Sequence, residues 1–531
     1  MLDGFVAYPQ EFIDRYRAAG LWLDRSLWEL FAEKFATFAD RPALVHAGGS
    51  LSYRELEQGS VELAQVLAAR GLEPLDRVVL QLPNVPEFVI AHLALQRLGA
   101  IPIMALPAHR EREIGHFVEL AGARAYLGGN AELAPTLQRG HPSLQILTLD
   151  ELGRPPTPAE LPDPTAFDPL DPAVLLLSGG TTGLPKLIPR THNDYWYNSL
   201  AAAAINDIRL DDALLEVLPL GHNFPLACPG LHGFLQHGAR VVLSATTQPE
   251  ANFALIQQER VTHLELVPAL LIRWLSDPSL RFHDLSSVRV VNTGGHRLQP
   301  EVKRRCEQAL PNCTVQEVLG MAEGLLCYVR LDDPLEVRYE TAGRPISEHD
   351  EIRVVDDAGR EVGAGEVGEL LARGPYTIRG YYRAPDHNAS AFSPDGFYRT
   401  GDLVRLHGSG SVVVEGRKKD LINRGGEKIS AEEVENLILA HPAVLDAACV
   451  PVPDPVLGER MCACVVLKPG AVLVLDELTE FLLAKGIAKF KLPERLEVME
   501  RVPDDARREG FQAGPSRGHG SSRAFDAGSR R

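Results

Sequence analysis

Residues 174 to 192, Val-Leu-Leu-Leu-Ser-Gly-Gly-Thr-Thr-Gly-Leu-Pro-Lys-Leu-Ile-Pro-Arg-Thr-His, set an apolar run directly before a Gly/Thr-rich turn closed by a lysine. That order builds a phosphate cradle. Gly179, Gly180 and Gly183 let the backbone turn its N–H groups onto an anion, Ser178, Thr181 and Thr182 add hydroxyl donors, and Lys186 brings a full positive charge. The expected ligand is a polyphosphate. Leu184 and Pro185 stand between Gly183 and Lys186, so the spacing is not G-x-x-x-x-G-K-[ST] and the P-loop NTPase reading is excluded.

Three further segments could do chemistry with such a ligand. Gly320-Met321-Ala322-Glu323-Gly324 offers a carboxylate, Tyr398-Arg399-Thr400-Gly401-Asp402 offers another, and Gly416-Arg417-Lys418-Lys419-Asp420 runs into Asn423-Arg424-Gly425-Gly426-Glu427-Lys428-Ile429. With the phosphate loop, these motifs and their order closely resemble the adenylate-forming enzymes, the superfamily of acyl-CoA synthetases, peptide-synthetase adenylation domains and luciferases. The resemblance spans roughly residues 20 to 503. It implies an α/β protein: a large N-terminal core of layered α/β subdomains plus a small β-rich subdomain (residues 1–416), a hinge (417–420) and a small mobile α+β C-terminal domain (421–503). Lys419 falls at the pivot, and Gly425, Gly426 and Lys428 fall on the loop that the swing brings in for thioester formation.

Joining a carboxylic acid to ATP requires a neutralised triphosphate, a held ribose, and an acid aimed in line at the α-phosphorus. The resemblance divides those tasks. Lys186 and the loop hydroxyls hold the β- and γ-phosphates, and Glu323 ligates Mg²⁺, a hard cation that takes carboxylate and phosphate oxygens. Gly320, Met321 and Ala322 line the adenylate. Asp402 takes the ribose hydroxyls as an acceptor, supported by Arg417. Ala322 stands where many adenylating enzymes carry Thr, a departure common among aryl acid ligases.

The segment Gly221-His222-Asn223-Phe224-Pro225-Leu226-Ala227-Cys228-Pro229-Gly230 resembles that of stand-alone aryl acid activating ligases of siderophore pathways. The likeness puts His222 among the catalytic positions, Asn223 on the ortho hydroxyl or carboxylate, and Phe224 as an aromatic wall. It puts Cys228 at the ring's 3-position, with Gly294, Gly295 and Leu326 completing the slot. A 3-hydroxyl buried against a thiol lacks a good partner, which costs about 1–3 kcal/mol. Salicylate is therefore the expected substrate, with the thiol of a phosphopantetheinylated aryl carrier protein as acceptor. The alternatives are 2,3-dihydroxybenzoate as substrate, coenzyme A as acceptor, or a catalytically crippled protein that only binds an aryl adenylate and the carrier.

Bulk properties set limits. The 531 residues exceed one ordinary core, and a formal net charge of −17 argues against nucleic acid as partner. The start lacks a basic region followed by a continuous apolar one, and no stretch reaches the ~18 apolar residues of a spanning helix, so a soluble cytoplasmic protein is expected with no membrane partner. Seven cysteines without a Cys-x-x-Cys pair predict reduced, mostly buried thiols. The length leaves no room for an appended carrier domain, so the acceptor must come in trans.

The elements that would position these groups alternate. Helical spacing covers Tyr53 to Ala69 and Phe88 to Leu98, with a buried strand at Arg77 to Leu82 between them. The proline-rich, aperiodic stretch Gly153 to Pro172 predicts a surface connection. From Asp350 short strands with turns begin, such as Ile352 to Val355 before Asp357-Ala358-Gly359. A helix near Ala431 to Ala440 and a strand near Met461 to Leu467 mark the compact last segment.

The tail, 504–531, departs from the resemblance. Relatives of this type end in a short motif whose lysine reaches the acid and α-phosphate, but no lysine follows Lys491 here, and Gly514 to Arg523 is low-complexity sequence expected to be disordered. Codons for Asp504 through Gly514, read one nucleotide later with free choice at degenerate positions, give Met-Thr-Pro-Val-Gly-Lys-Val-Ser-Arg-Arg-Ala. The lysine then overlaps Glu509. A frameshift near Val502 to Asp504, in the gene or in its record, is the expectation, and the 531-residue chain should adenylate poorly.

Overall fold

The computed structural model describes residues 2–129, 132–148, 159–178, 184–295, 297–418, 421–424, 427–454 and 457–500. Two compact units divide between Val414 and Glu415. In the first, runs such as Arg77–Gln81 are buried along most of their length, as strands between helical layers must be. They form, among the described residues, a six-stranded sheet ordered Gln145–Leu147, Ala125–Gly128, Arg77–Gln81, Ile101–Met104, Pro172–Leu177, Leu187–Thr191. Every neighbour pairs in parallel except the last two, which form an antiparallel hairpin. That hairpin brackets the phosphate loop.

The helix Tyr53–Ala69 has the predicted extent and opens on a capping box. Ser52 Oγ accepts the Glu55 N–H, and Glu55 Oε2 accepts the Ser52 N–H at 2.8 Å. It packs on Pro86–Leu98. Residues 153–158 of the expected surface connection lie outside the described residues. Pro172, its expected end, already begins the strand Pro172–Leu177.

A second sheet of nine strands runs Arg344–Pro345, Leu325–Tyr328, Thr314–Met321, Val290–Gly294, His263–Leu266, Ala213–Glu216, Arg240–Leu243, Pro42–His46, Gly49–Ser52. It is parallel from Thr314–Met321 to Pro42–His46 and antiparallel at its ends. The expected β-rich subdomain is the sheet of Glu351–Val355, Gly368–Arg373, Tyr398–Leu406 and Val412–Arg417. The second unit carries a sheet ordered Glu427–Ser430, Leu421–Arg424, Gly458–Leu467, Val444–Asp454, with Arg495–Val498 parallel to Gly458–Leu467. Helices Ala431–Leu439 and Leu475–Ala484 complete it around Ile422, Ile429, Val434, Ile438, Leu478 and Leu482. The layered α/β class expected from the sequence is what the chain forms. All seven cysteines are free and buried. Among the described residues no helix is long and apolar enough to cross a membrane.

The core holds neutral imidazoles. His192 Nδ1 accepts the Leu27 N–H at 3.1 Å, and burial pulls its pKa down to about 4, as it does for His92 and His263. The unfolded chain takes up these protons already near pH ~6.5. Stability is therefore complete above that pH and falls as pH drops toward 4, by up to roughly 3 kcal/mol per histidine. Thermal melts from pH 7 to 4 should show this decline, and His192→Asn, which keeps an acceptor without the titration, should make it shallower.

Candidate functional site

The expected phosphate loop is closed at its base. Ser178 N–H donates to the Lys186 carbonyl at 3.0 Å, and Ser178 Oγ accepts the Lys186 N–H at 2.9 Å. Gly179, Gly180, Thr181, Thr182 and Gly183 lie outside the described residues. Lys186 is half-buried, and its Nζ stands 5.6 Å from the centroid of the Tyr381 ring.

Tyr381 also reaches the carboxylate motif. Glu323 sits in the turn between Thr314–Met321 and Leu325–Tyr328, only 9% exposed. Gly324 makes that turn possible: its φ is +104°, and a methyl group there would overlap the Tyr376 carbonyl. The Tyr381 hydroxyl donates to Glu323 Oε1 at 2.6 Å and lies 3.0 Å from the Tyr398 hydroxyl. Burial, then the neighbouring Glu323 charge, push the Tyr381 pKa far up, so it stays a donor. Tyr381 thus presents a ring face to the ammonium and a proton to the carboxylate. Among the described residues no group of three His, Cys, Asp or Glu could hold a metal. A cation at Glu323 would take its other oxygens from water or from a ligand, as Mg²⁺ does beside a polyphosphate.

Residues expected to line the aryl slot come together as a second cluster. Phe224 packs with Cys228, Val318, Leu326 and Tyr328. A side chain at Gly294 would press the Val318 carbonyl at 3.1 Å and approach Phe224 at 3.9 Å, so glycine keeps the wall flat; the neighbouring Gly295 is exposed with φ +89°. The Asn223 amide is held on both sides: Oδ1 accepts the Tyr195 hydroxyl at 2.9 Å, and Nδ2 donates to Cys228 Sγ at 3.1 Å. Cys228 is 1% exposed, and burial pushes its pKa up to about 12, so it is a neutral thiol already engaged as an acceptor. Gly230 turns the chain behind it with φ +50°, where any side chain would meet the Pro225 carbonyl. Its N–H donates to the buried Glu265 at 3.1 Å.

The remaining expected positions are more scattered. His222 is exposed, at the N-terminal cap of the short helix Asn223–Ala227. Gly320 and Met321 end the strand Thr314–Met321, followed by half-buried Ala322. Asp402 is 3% exposed on the strand that also carries Tyr398. Arg417, exposed at the end of Val412–Arg417, and Lys428 on Glu427–Ser430 belong to the second unit. Lys419, Gly425 and Gly426 lie outside the described residues, as does the whole tail from 501. Spacing alone does not single out Tyr381, Tyr195 or Arg190. For the last, the capping box from Thr191 to Asp194 was the available signal, since it opens a helix directly after the phosphate hairpin.

A phosphate hairpin, a buried carboxylate turn and an aromatic slot, in two α/β sheets followed by a small α+β unit, define a nucleotide-dependent acid-activating enzyme. The chain belongs to the AMP-binding enzyme family, whose profile matches residues 31–382, with the AMP-binding enzyme C-terminal domain at 433–508. It is 46% identical over 520 residues to the 2,3-dihydroxybenzoate-AMP ligase of Bacillus subtilis (strain 168), covering 95% of each chain. It is 45% identical over 523 residues to the salicyl-AMP ligase / salicyl-S-ArCP synthetase of Mycobacterium tuberculosis, covering 94% of this chain and 92% of that one. Among solved structures, apo MbtA of Mycobacterium smegmatis aligns with a TM-score of 0.75 and 43% identity over 96% of this chain and 97% of the other.

Tyr381→Phe keeps the ring beside Lys186 but removes the proton given to Glu323. A hydrogen bond to a charged group contributes ~1.5–3 kcal/mol, so adenylation should slow by about 10- to 100-fold with a raised Mg²⁺ requirement. A magnesium titration of the adenylation rate, with melting temperature as control, checks this.

Proposed function

We propose that this enzyme activates salicylate with ATP to salicyl-adenylate and pyrophosphate, and passes the aryl group to the phosphopantetheine thiol of a carrier protein in trans, in siderophore biosynthesis in the cytoplasm. The observation that carries the substrate is Cys228: a 3-hydroxyl directed there meets a neutral, buried thiol already accepting from Asn223 at 3.1 Å. Salicylate leaves nothing unpaired at that point. The two relatives named above act, by name, on 2,3-dihydroxybenzoate and on salicylate respectively.

Lys186, with the loop hydroxyls of Ser178, Thr181 and Thr182, receives the β- and γ-phosphates; Glu323 would hold Mg²⁺, whose charge would offset that of the phosphates. Asp402 and Arg417 take the ribose. Asn223 and Phe224 fix the acid so that its carboxylate meets the α-phosphorus in line, and His222 borders the same reacting end. Residues 417–420 serve as the hinge between 1–416 and 421–503, turning at Lys419 so that Gly425, Gly426 and Lys428 serve the thioester step.

Salicylate-driven ATP–pyrophosphate exchange tests this reading. Salicylate should outcompete 2,3-dihydroxybenzoate, and Cys228→Ser should narrow the gap by about the 10-fold that one restored hydrogen bond supplies. Equal exchange with both acids in the unmutated protein would contradict the assignment.

The tail bears on the rate. Lys491 Nζ is held by both Glu433 carboxylate oxygens, at 2.7 and 2.6 Å, so it is not a free replacement for the lysine of the expected closing motif. The chain as written should therefore adenylate slowly yet bind a preformed salicyl-adenylate and transfer it to a carrier thiol. Restoring the alternative frame after Pro503 should raise adenylation ~10²–10³-fold, the weight of one preorganised transition-state charge. Single-turnover rates of the two half-reactions in both proteins check this, and full adenylation by the unaltered chain would refute it.

A further inference from the structure

Arg190 is among the largest fully buried side chains of the described residues, paired with an equally buried Asp194 at 2.8 Å. A buried ion pair is a poor way to add stability, because desolvating both charges cancels most of their attraction, and apolar side chains of like volume serve as well or better. Its presence calls for another reason. The three guanidinium nitrogens point to three different parts of the site: Nε donates to Asp194 Oδ1 at 2.8 Å, one terminal nitrogen donates to the Ala322 carbonyl at 3.0 Å, and the other donates to Asn198 Oδ1 at 3.3 Å.

Each partner leads to a working group. Ala322 directly precedes Glu323, the carboxylate that Tyr381 holds. Asn198 Nδ2 donates to the Ala227 carbonyl at 2.6 Å and lies 3.9 Å from Cys228 Sγ, which receives the Asn223 amide. The Arg190 guanidinium also lies 4.8 Å from the centre of the Tyr195 ring, whose hydroxyl holds the other side of Asn223. Asp194 completes the anchor, since its second oxygen accepts both the Thr191 N–H at 2.7 Å and its hydroxyl at 2.8 Å. A planar fork with donors in fixed directions can span these partners; a lysine ammonium reaching Asp194 cannot also hold Ala322 and Asn198 in plane.

We propose that Arg190 is a positioning residue that couples the two halves of the site: it ties the turn carrying Glu323, where nucleotide and Mg²⁺ bind, to the Asn198–Cys228–Asn223 and Tyr195–Asn223 contacts that orient the aryl acid. A nucleotide that orders the Glu323 turn then also orders Asn223, and the acid binds more tightly in its presence. Linkage makes the effect reciprocal. This inference rests on the proposed aryl acid site, and its test is arranged so that the two can fail separately.

The test measures acid affinity by calorimetry on the full chain, without nucleotide and with a saturating non-reactive ATP analogue plus Mg²⁺, for salicylate and for 2,3-dihydroxybenzoate in parallel. Binding needs no catalytic turnover, so the tail does not obscure it. In the unmutated protein the analogue should tighten acid binding by a factor in the ~5–150 range of ordinary coupling. Arg190→Lys, which keeps a cation for Asp194, should bring that factor close to one while each ligand alone binds within a few-fold of normal. Asn198→Asp, which keeps an acceptor for Arg190 but loses the donor to Ala227 and Cys228, should do the same if the first variant folds poorly. A factor of one in the unmutated protein, or an unchanged factor in both variants with uniformly weaker binding, would overturn the coupling role. Binding of 2,3-dihydroxybenzoate alone would overturn the salicylate assignment while leaving the coupling factor readable.

Discussion

The Tyr381 hydroxyl stands 2.6 Å from Glu323 Oε1 while its ring lies 5.6 Å from the Lys186 ammonium, so one side chain serves two opposite charges without letting them cancel. An adenylating site must keep a cation for phosphate oxygens and an anion for a metal in the same small volume. Left to themselves, such groups pair. Among the described residues neither Lys186 nor Glu323 enters a salt bridge. The turn at Gly324, the Ile378 N–H on the Glu323 carbonyl at 2.9 Å, and the closure of Ser178 on Lys186 hold the two motifs apart at fixed places.

The acid half of the site follows from the same requirement on neutral groups. Asn223 can recognise a ligand with one amide orientation only if its own rotation is stopped, and the Tyr195 hydroxyl and Cys228 thiol stop it from opposite sides. The thiol performs this in a setting where burial keeps it protonated, so it adds no charge to the slot proposed for the aryl acid. Arg190 then lies where both halves can be reached, with its cost of burial met by Asp194 and by backbone and amide acceptors.

Much of this was written locally. The phosphate loop, the Glu323 and Asp402 motifs and the aryl segment are contiguous residue patterns, and a helix such as Tyr53–Ala69 is set by spacing and a capping box four residues long. The small β subdomain and the last α+β unit were also legible, because strand-and-turn alternation and turn residues are short-range signals. The order of strands in the two large sheets was not, since Thr314–Met321 pairs with Val290–Gly294 on one edge and Leu325–Tyr328 on the other through contacts that no local window contains.

By itself the sequence determined which groups are available: the anion loop with its lysine, the acidic turn, the amide, the thiol, and the absence of any lysine after Lys491. Each of these is a matter of residue type and near-neighbour spacing, which the chain carries wherever it folds. Only the tertiary structure decided that Tyr381 meets Glu323 from 58 positions away, that Arg190 meets Ala322 from 132 away, and that Tyr195 and Cys228 share Asn223. Such meetings depend on how strands from distant parts of the chain are ordered and how helices pack on them. Burial then converts an arginine, a tyrosine and a cysteine of ordinary appearance into the groups that hold the site in place.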